Sequence, residues 1–317
     1  MTDLTRRGVL ALASLGAASI AFPQLRPKPT SKRALRVAHL TDIHVQPEKD
    51  APRGMAAALH HAQSQKDKPD LLLTGGDQIM DAFGADYDRT KTQWEVFSKV
   101  LKAENSLPVE HCIGNHDVWG FSKREDNPQH AVRAGKKWAC EVLGLEKPYR
   151  SFDRGGWHFI VLDSTHPAPQ GSGYIARLDD EQFQWLEQDL ARTPSSTPVV
   201  VVSHIPIISA CGFFDGNNEK TGEWILPASW MHVDARRIKD LFVKHPNVKL
   251  ALSGHMHQLD FIQFNGVTYY CSGAVCGAWW AGKYYECEAG YGLIDLYEDG
   301  SVACEYVLWG WKPSSES

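Results

Sequence analysis

Asn115, His116 and Asp117 follow one another directly after Cys112-Ile113-Gly114. The apolar lead of Val109, Cys112 and Ile113 reads as the end of a buried strand. Gly114 then permits a tight turn that few other residues could make. The turn presents an amide oxygen, an imidazole and a carboxylate in succession. The amide oxygen is a modest metal ligand, and the imidazole is either a ligand or a proton donor. Four further fragments close short apolar runs in the same way: Thr41-Asp42-Ile43-His44, Gly75-Gly76-Asp77, Ser203-His204 and Ser253-Gly254-His255-Met256-His257. Asp-x-His and His-x-His spacings put alternate residues on one side of an extended segment. Each spacing therefore aims two ligands at one point.

Asp42, His44, Asp77, Asn115, His204, His255 and His257 offer only oxygen and nitrogen atoms. They are too many for one transition metal and about right for two that share a bridge, and they suit Fe, Mn or Zn. A carboxylate is the natural bridge, since each of its oxygens can hold one cation. Two such cations can hold a hydroxide between them and clamp a phosphate. Singly, each fragment is an ordinary turn, helix cap or packed histidine. Five together, each at a strand end, point to one shared site.

Positioning these groups requires several strands that end at one edge. Apolar runs at 35–40, 71–73, 109–113, 157–162, 199–202, 248–252 and 267–270 predict strands. Helical stretches at 94–102 and 180–191 fall between some of them, the second with acidic residues at its start and Phe183, Leu186 and Leu190 at core spacing. Strands alternating with helices predict an α/β fold. In open α/β sheets ligands gather beyond the carboxyl ends of the strands. Around Phe261, Thr268 and Ile294 fewer helices intervene, which predicts a second, partly antiparallel sheet.

The chain has 317 residues, 43% of them hydrophobic, so a large buried core is affordable. A formal charge of −5 without a long basic run argues against nucleic acid as an obligatory partner. A small anionic substrate needs only a local positive site. Thr5-Arg6-Arg7-Gly8-Val9-Leu10 is a twin-arginine pattern, followed by an apolar run to about Phe22 that is too short to span a bilayer comfortably. It reads as an export signal with cleavage after Ala21, and implies a periplasmic or otherwise exported protein that meets the twin-arginine machinery. Residues 1–33 are thus expected to be signal and linker, and 34–317 the catalytic domain. The seven cysteines are scattered and form no C-x-x-C pair, so neither a disulfide framework nor a structural zinc site is expected. Cys276 and Cys287 could pair in an oxidising compartment.

In order and spacing, Asp42-x-His44, Gly76-Asp77, Gly114-Asn115-His116-Asp117, His204 and Gly254-His255-x-His257 resemble the calcineurin-like metallophosphoesterase superfamily. The resemblance runs from about Arg36 to His257, with all five motifs intact. It implies a four-layer αββα sandwich with a dinuclear metal centre at the strand ends, and a phosphoesterase that uses a hydroxide bridging two metal ions. By the same resemblance Asp42, His44 and His257 would bind one ion, Asn115, His204 and His255 the other, and Asp77 both. His116 would contact the phosphoryl oxygen or protonate the leaving group. An alkoxide leaves poorly unless it is protonated or coordinated. The resemblance leans towards a phosphodiesterase, with a phosphomonoesterase as the alternative. A binding protein that kept only the fold would have lost ligands or the proton donor, and this chain has lost neither.

The chain also departs from its relatives. Purple acid phosphatases carry a metal-binding Tyr three residues after the bridging Asp, and here Met80 stands there, so no tyrosinate colour is expected. Calcineurin-type members carry an Asp at that spacing to orient the catalytic His. The nearest candidate here is Asp81, one residue later. Asp117 reads as a residue of the turn, and Asp163 as either support for the site or a cap.

Substrate selection is expected from loops, with insertions near 118–150 and 210–232. Residues 121–137 include Lys123, Arg124, Arg133, Lys136 and Lys137, and form either an anion-holding cap or an exposed charged helix. Residues 210–230 carry Phe213, Phe214 and Trp224 and are expected to overhang the metals. Trp279 and Trp280, between glycines, either wall the pocket and stack on substrate or pack in the core. Tyr284, Tyr285 and Tyr291 could serve in the same way.

Overall fold

The computed structural model of the chain describes residues 19–20, 31–120, 132–169 and 173–313. The twin-arginine pattern, Lys123 and Arg124 lie outside the described residues. Two six-stranded mixed sheets face each other. In the first, β2 (Arg33–Leu40), β3 (Leu71–Thr74) and β4 (Val109–His111) run parallel. On the other side of β2 lie β13 (Gly290–Tyr297) and β14 (Val302–Leu308), each antiparallel to its neighbour. Ser19–Ile20 (β1) pairs with the outer edge of β14. In the second sheet β6 (Trp157–Leu162), β9 (Val199–Ser203), β10 (Val248–Ser253) and β12 (Val267–Cys271) are parallel. Its edges are the antiparallel β5 (Arg150–Arg154) and β11 (Asp260–Phe264). A hairpin of β7 (Thr165–Pro167) and β8 (Tyr174–Ala176) stands apart.

Side-chain alternation explains the layering. On β9, Val200 and Val202 enter the core between the sheets, while Val199 and Val201 face outward under helices. On β2, Leu35 and Val37 point between the sheets, and Ala38 and Leu40 point outward. Both faces are covered, which is why these strands are continuous apolar runs rather than alternating ones. Each fully buried Val or Leu contributes roughly 1.5–3 kcal/mol. The first sheet's outer face is covered by α1 (Ala51–Gln63), α2 (Tyr87–Glu104) and α3 (Lys137–Leu143). The second's is covered by α4 (Asp180–Arg192) and α5 (Ala235–Lys244). The αββα sandwich implied by the motifs is therefore present.

Two helix starts are fixed by capping aspartates. Asp86 accepts a 2.8 Å bond from Arg89 N, and Asp179 one of 2.8 Å from Gln182 N. Such a cap is worth about 1 kcal/mol. All seven cysteines are free thiols, so Cys276 and Cys287 do not pair. Both are buried, Cys276 within the apolar cluster outside the first sheet, which accounts for them without a bridge.

Candidate metal centre

The loops after β2, β3, β4, β9 and β10 meet at one edge and are tied to one another. Asp42 N donates to Gly76 O at 3.0 Å, His44 N to Asp77 O at 2.9 Å and Gly254 N to His204 O at 2.9 Å. Ala82 N reaches His116 O at 2.7 Å. A Cβ on Gly114 would collide with the Asp77 carboxylate, so only glycine lets these two loops approach so closely. Asp42, His44, Asp77, His255 and His257 all hold positive φ, from 45° to 72°. Such conformations cost about 1–3 kcal/mol each and persist where the surroundings over-determine them.

Asp117 supplies much of that over-determination. Its carboxylate accepts from Gly114 N at 2.8 Å, Asp77 N at 2.9 Å and Gln78 N at 2.9 Å. It is therefore more than a turn residue, because it clamps the Asp77 loop to the Asn115 loop.

Three groups of ligand atoms result: Asp42 with His44 and His257, Asp77 with His204 and His255, and between them His44 with Asp77 and His116. Asn115 Oδ1 lies 3.2 Å from His204 Nε2. The seven candidate ligands, scattered from position 42 to 257, thus converge.

Tautomers test whether cations fit here. The Nδ1 atoms of His44, His204 and His257 face the carbonyls of Met80 (3.3 Å), Gly75 (2.9 Å) and Gly277 (2.6 Å). A carbonyl only accepts, so each Nδ1 carries a proton and each Nε2 is the atom turned to the site. Yet His44 Nε2 and His257 Nε2 are 3.1 Å apart. His204 Nε2 lies 3.2 Å from both Asp77 Oδ2 and Asn115 Oδ1. Contacts this close need a positive charge among them, either a proton on one ring or a bound cation. Burial pushes the His44 and His255 imidazoles down to about 3, keeping both neutral. For His204 burial acts the same way, but the Asp77 carboxylate outweighs it and raises the pKa to about 9. His257 is likewise raised well above 6.5 despite its burial, by Cys276 and Asp42 beside it. Cations can take the place of the protons on His204 and His257, and the O/N donor set suits Fe, Mn or Zn.

The bridge differs in detail from the two-oxygen expectation. Asp77 Oδ1 accepts from His116 N at 2.8 Å. Asp77 Oδ2 alone faces both halves, 3.2 Å from His204 Nε2 and 3.5 Å from His44 Nε2. His116 stands beside this centre, its ring 4.8 Å from that of His44. Asp81 Oδ1 is 3.6 Å from His116 Nδ1 despite its one-residue offset, because Gly84 N draws its carboxylate round at 2.9 Å.

Above the ligands lies a cavity of about 230 Å³. Its walls include Tyr174, Asp215, Trp230, Met256, Trp279 and Tyr284. Asp215 and Trp230 come from the 210–230 segment, which does overhang the site. Trp279 lies over His257 with ring centroids 4.6 Å apart.

Several expected binding residues stand elsewhere. Trp280 is buried to 1% exposure and packs against Trp311, so it is no pocket wall. Its Nε1–H donates to His44 O at 3.0 Å, which holds a ligand loop from behind. Tyr291 is buried, with its hydroxyl on Gln65 and His61. Tyr285 is outside the cavity lining and bonds Gly216 N at 3.2 Å. Arg133 is committed to Glu141 and Tyr87, and Lys136 to Asp163, so neither offers its charge to a substrate. Asp163 is accordingly the counter-ion of Lys136. Tyr174 and Asp215 were not legible as site residues, since neither belongs to a ligand-spaced motif.

A family model described as calcineurin-like phosphoesterase matches residues 35–259. A probable cyclic nucleotide phosphodiesterase of Synechococcus sp. is 28% identical over 84% of this chain and 89% of its own. The 3',5'-cyclic adenosine monophosphate phosphodiesterase CpdA of Escherichia coli is 25% identical over 73% of each chain. The fold also matches a dimetal phosphatase from Danio rerio, with a TM-score of 0.63, 13% identity, and coverage of 88% of this chain and 98% of that one. With the five motifs converged at one sheet edge and the family match spanning them all, this chain belongs to the calcineurin-like phosphoesterase family, hydrolases of phosphoric ester bonds.

Proposed function

We propose that this protein is an exported, two-metal phosphodiesterase of small diesters. Asp42, His44 and His257 would hold one ion, Asn115, His204 and His255 the other, and Asp77 would serve both. When bound, the ion pair supplies Lewis acidity and an activated water. Iron, manganese and zinc all suit these donors. The chain's own contribution is to fix the ligands on strained, cross-bonded loops and to deliver a proton. In hydrolysis a water oxygen bonds to phosphorus, the P–O ester bond breaks, and the departing oxygen takes a proton from His116. Asp77 and, after it, Asp81 favour the charged imidazole against its burial. Met80 contributes only its carbonyl, to His44.

The preference for diesters rests on the cavity walls. Among the described residues no Lys or Arg lines the cavity, and Asp215 adds a negative charge. A monoester brings two charges that would want cationic partners, whereas a diester brings one charge and a second organic group for the aromatic walls. Relatives named as cyclic nucleotide phosphodiesterases agree with this reading. The test compares kcat/KM for bis-p-nitrophenyl phosphate and p-nitrophenyl phosphate on protein reconstituted with each metal in turn. A higher value for the diester is expected, and a higher value for the monoester would overturn the assignment.

Export is proposed from the twin-arginine pattern at residues 5–10. Among the described residues no helix is long and apolar enough to cross a membrane. Fractionating cells that express the full chain tests this, and loss of export in the R6K/R7K variant is expected.

A further inference from the structure

We infer that the organic pocket beside the metal centre selects a diester substituent bearing a positive charge, with Asp215 as the specificity residue. The inference rests on the diesterase reading above and narrows it. Trp279 and Tyr284 stand nearly perpendicular, 85° between ring planes and 5.5 Å between centroids, and both line the cavity. Tyr174 and Trp230 add two more aromatic walls. Aromatic faces set at an angle around one space are what attracts an ammonium group, through the negative potential of each ring. The carboxylate of Asp215 is aimed at the same corner, because Tyr284 Oη donates to Asp215 Oδ1 at 3.0 Å.

That carboxylate is otherwise out of place. Its hydrogen-bond partner at Tyr284 is a neutral phenol, and among the described residues no Lys or Arg pairs with it. A negative charge on the wall of this cavity weakens the pull of the metal pair on any phosphate ester that lacks a compensating charge. A neutral hydrogen-bond donor on the substrate, such as the exocyclic amine of a nucleobase, would be met as well by an Asn or a carbonyl. A cationic substituent turns this penalty into attraction and uses the ring faces as well. The geometry therefore points to phosphodiesters of amino alcohols, of the ethanolamine or choline type.

The test uses two chromogenic diesters of one shape and one leaving group, p-nitrophenyl phosphocholine and its 3,3-dimethylbutyl isostere. The isostere replaces the trimethylammonium nitrogen with carbon. On the metal-loaded full chain, kcat/KM for the choline ester is expected to exceed that for the isostere by about tenfold or more. Asp215→Asn is expected to bring that ratio close to one, while Asp215→Glu keeps it above one. Adding salt is expected to shrink the ratio in the wild type. Equal rates on both esters in the wild type would overturn the inference and leave the diesterase reading standing. So would a ratio that Asp215→Asn does not move, or a kcat/KM for 3',5'-cyclic AMP well above that for the choline ester. If neither diester is turned over while p-nitrophenyl phosphate is, the diesterase reading itself fails.

Discussion

The ligand loops and the overhanging 210–230 segment meet over the same cavity but are built on opposite terms. The ligand loops are buried, hold positive φ at five of the seven candidate ligands, and are pinned by Asp117 and Trp280. The overhang exposes Phe214, Trp224 and Ile225, each by more than half, and holds itself by contacts such as Phe213 and Phe214 against Trp224. It is tied at its two ends, where Asp260 Oδ2 accepts from Ser209 Oγ, Ala210 N and Cys211 N and where Ala176 N donates to Ala228 O at 2.8 Å. The difference teaches that catalysis here needs over-determined geometry, whereas selection of the organic group is left to a surface segment that can change without disturbing it.

Substitutions on the two sides should separate cleanly. The largest effect is expected from Asp77→Asn, which removes the charge common to both halves of the site. Metal content should fall along with activity, and elemental analysis of the purified variant checks it. His116→Ala should keep its metal yet lose about 10²–10⁴-fold in kcat, the range for a lost general acid. Parallel metal analysis and steady-state kinetics distinguish the two variants. If His116→Ala also lost metal, its role would be that of a ligand rather than a proton donor.

Stability should divide along the same line. Trp280→Ala is expected to cost about 3–5 kcal/mol, as for other buried Trp truncations. Trp224→Ala on the overhang should stay within about 0.5 kcal/mol of wild type. Denaturant unfolding of the pair measures the contrast, and equal losses would erase it. The smallest expected effect lies away from both regions. His158 sits between Asp189 Oδ2 at 2.8 Å and Asp153 Oδ1 at 2.6 Å, and the Asp189 hydrogen bond leads in raising its pKa above 6.5. The folded state therefore favours the charged ring. Its stabilisation is full below about pH 6.5 and fades as pH rises through the higher folded value. The gap in Tm between wild type and His158→Gln should shrink from pH 6 to alkaline pH.

The ligand set was legible because chemistry and fold impose the same pattern on it. A metal pair needs Asp, His and Asn, and a parallel sheet needs each at a strand end, so types and spacing coincide. The parallel strands were legible as apolar runs, since both faces are buried. Elements whose patterns are mixed were not. Helix α1, rich in Ala and His, and the half-exposed strand β5 gave no strong period. Trp280 and Trp279 are neighbours of one type, yet one packs in the core and the other walls the cavity. Positive φ at both residues turns the two rings apart in a way no period describes. Asp215 was hidden for a different reason. A single carboxylate in a polar loop gains meaning only from the rings that the fold brings to it.

The most direct test of the cation-pair claim is a metal add-back titration on chelated protein, with diester turnover as the readout. The close contacts of His44 with His257, and of His204 with Asp77 and Asn115, mark two places where a cation can replace a proton. Turnover should be absent at the start and reach its plateau at about two equivalents of metal per chain. Full turnover before any metal is added would contradict the claim.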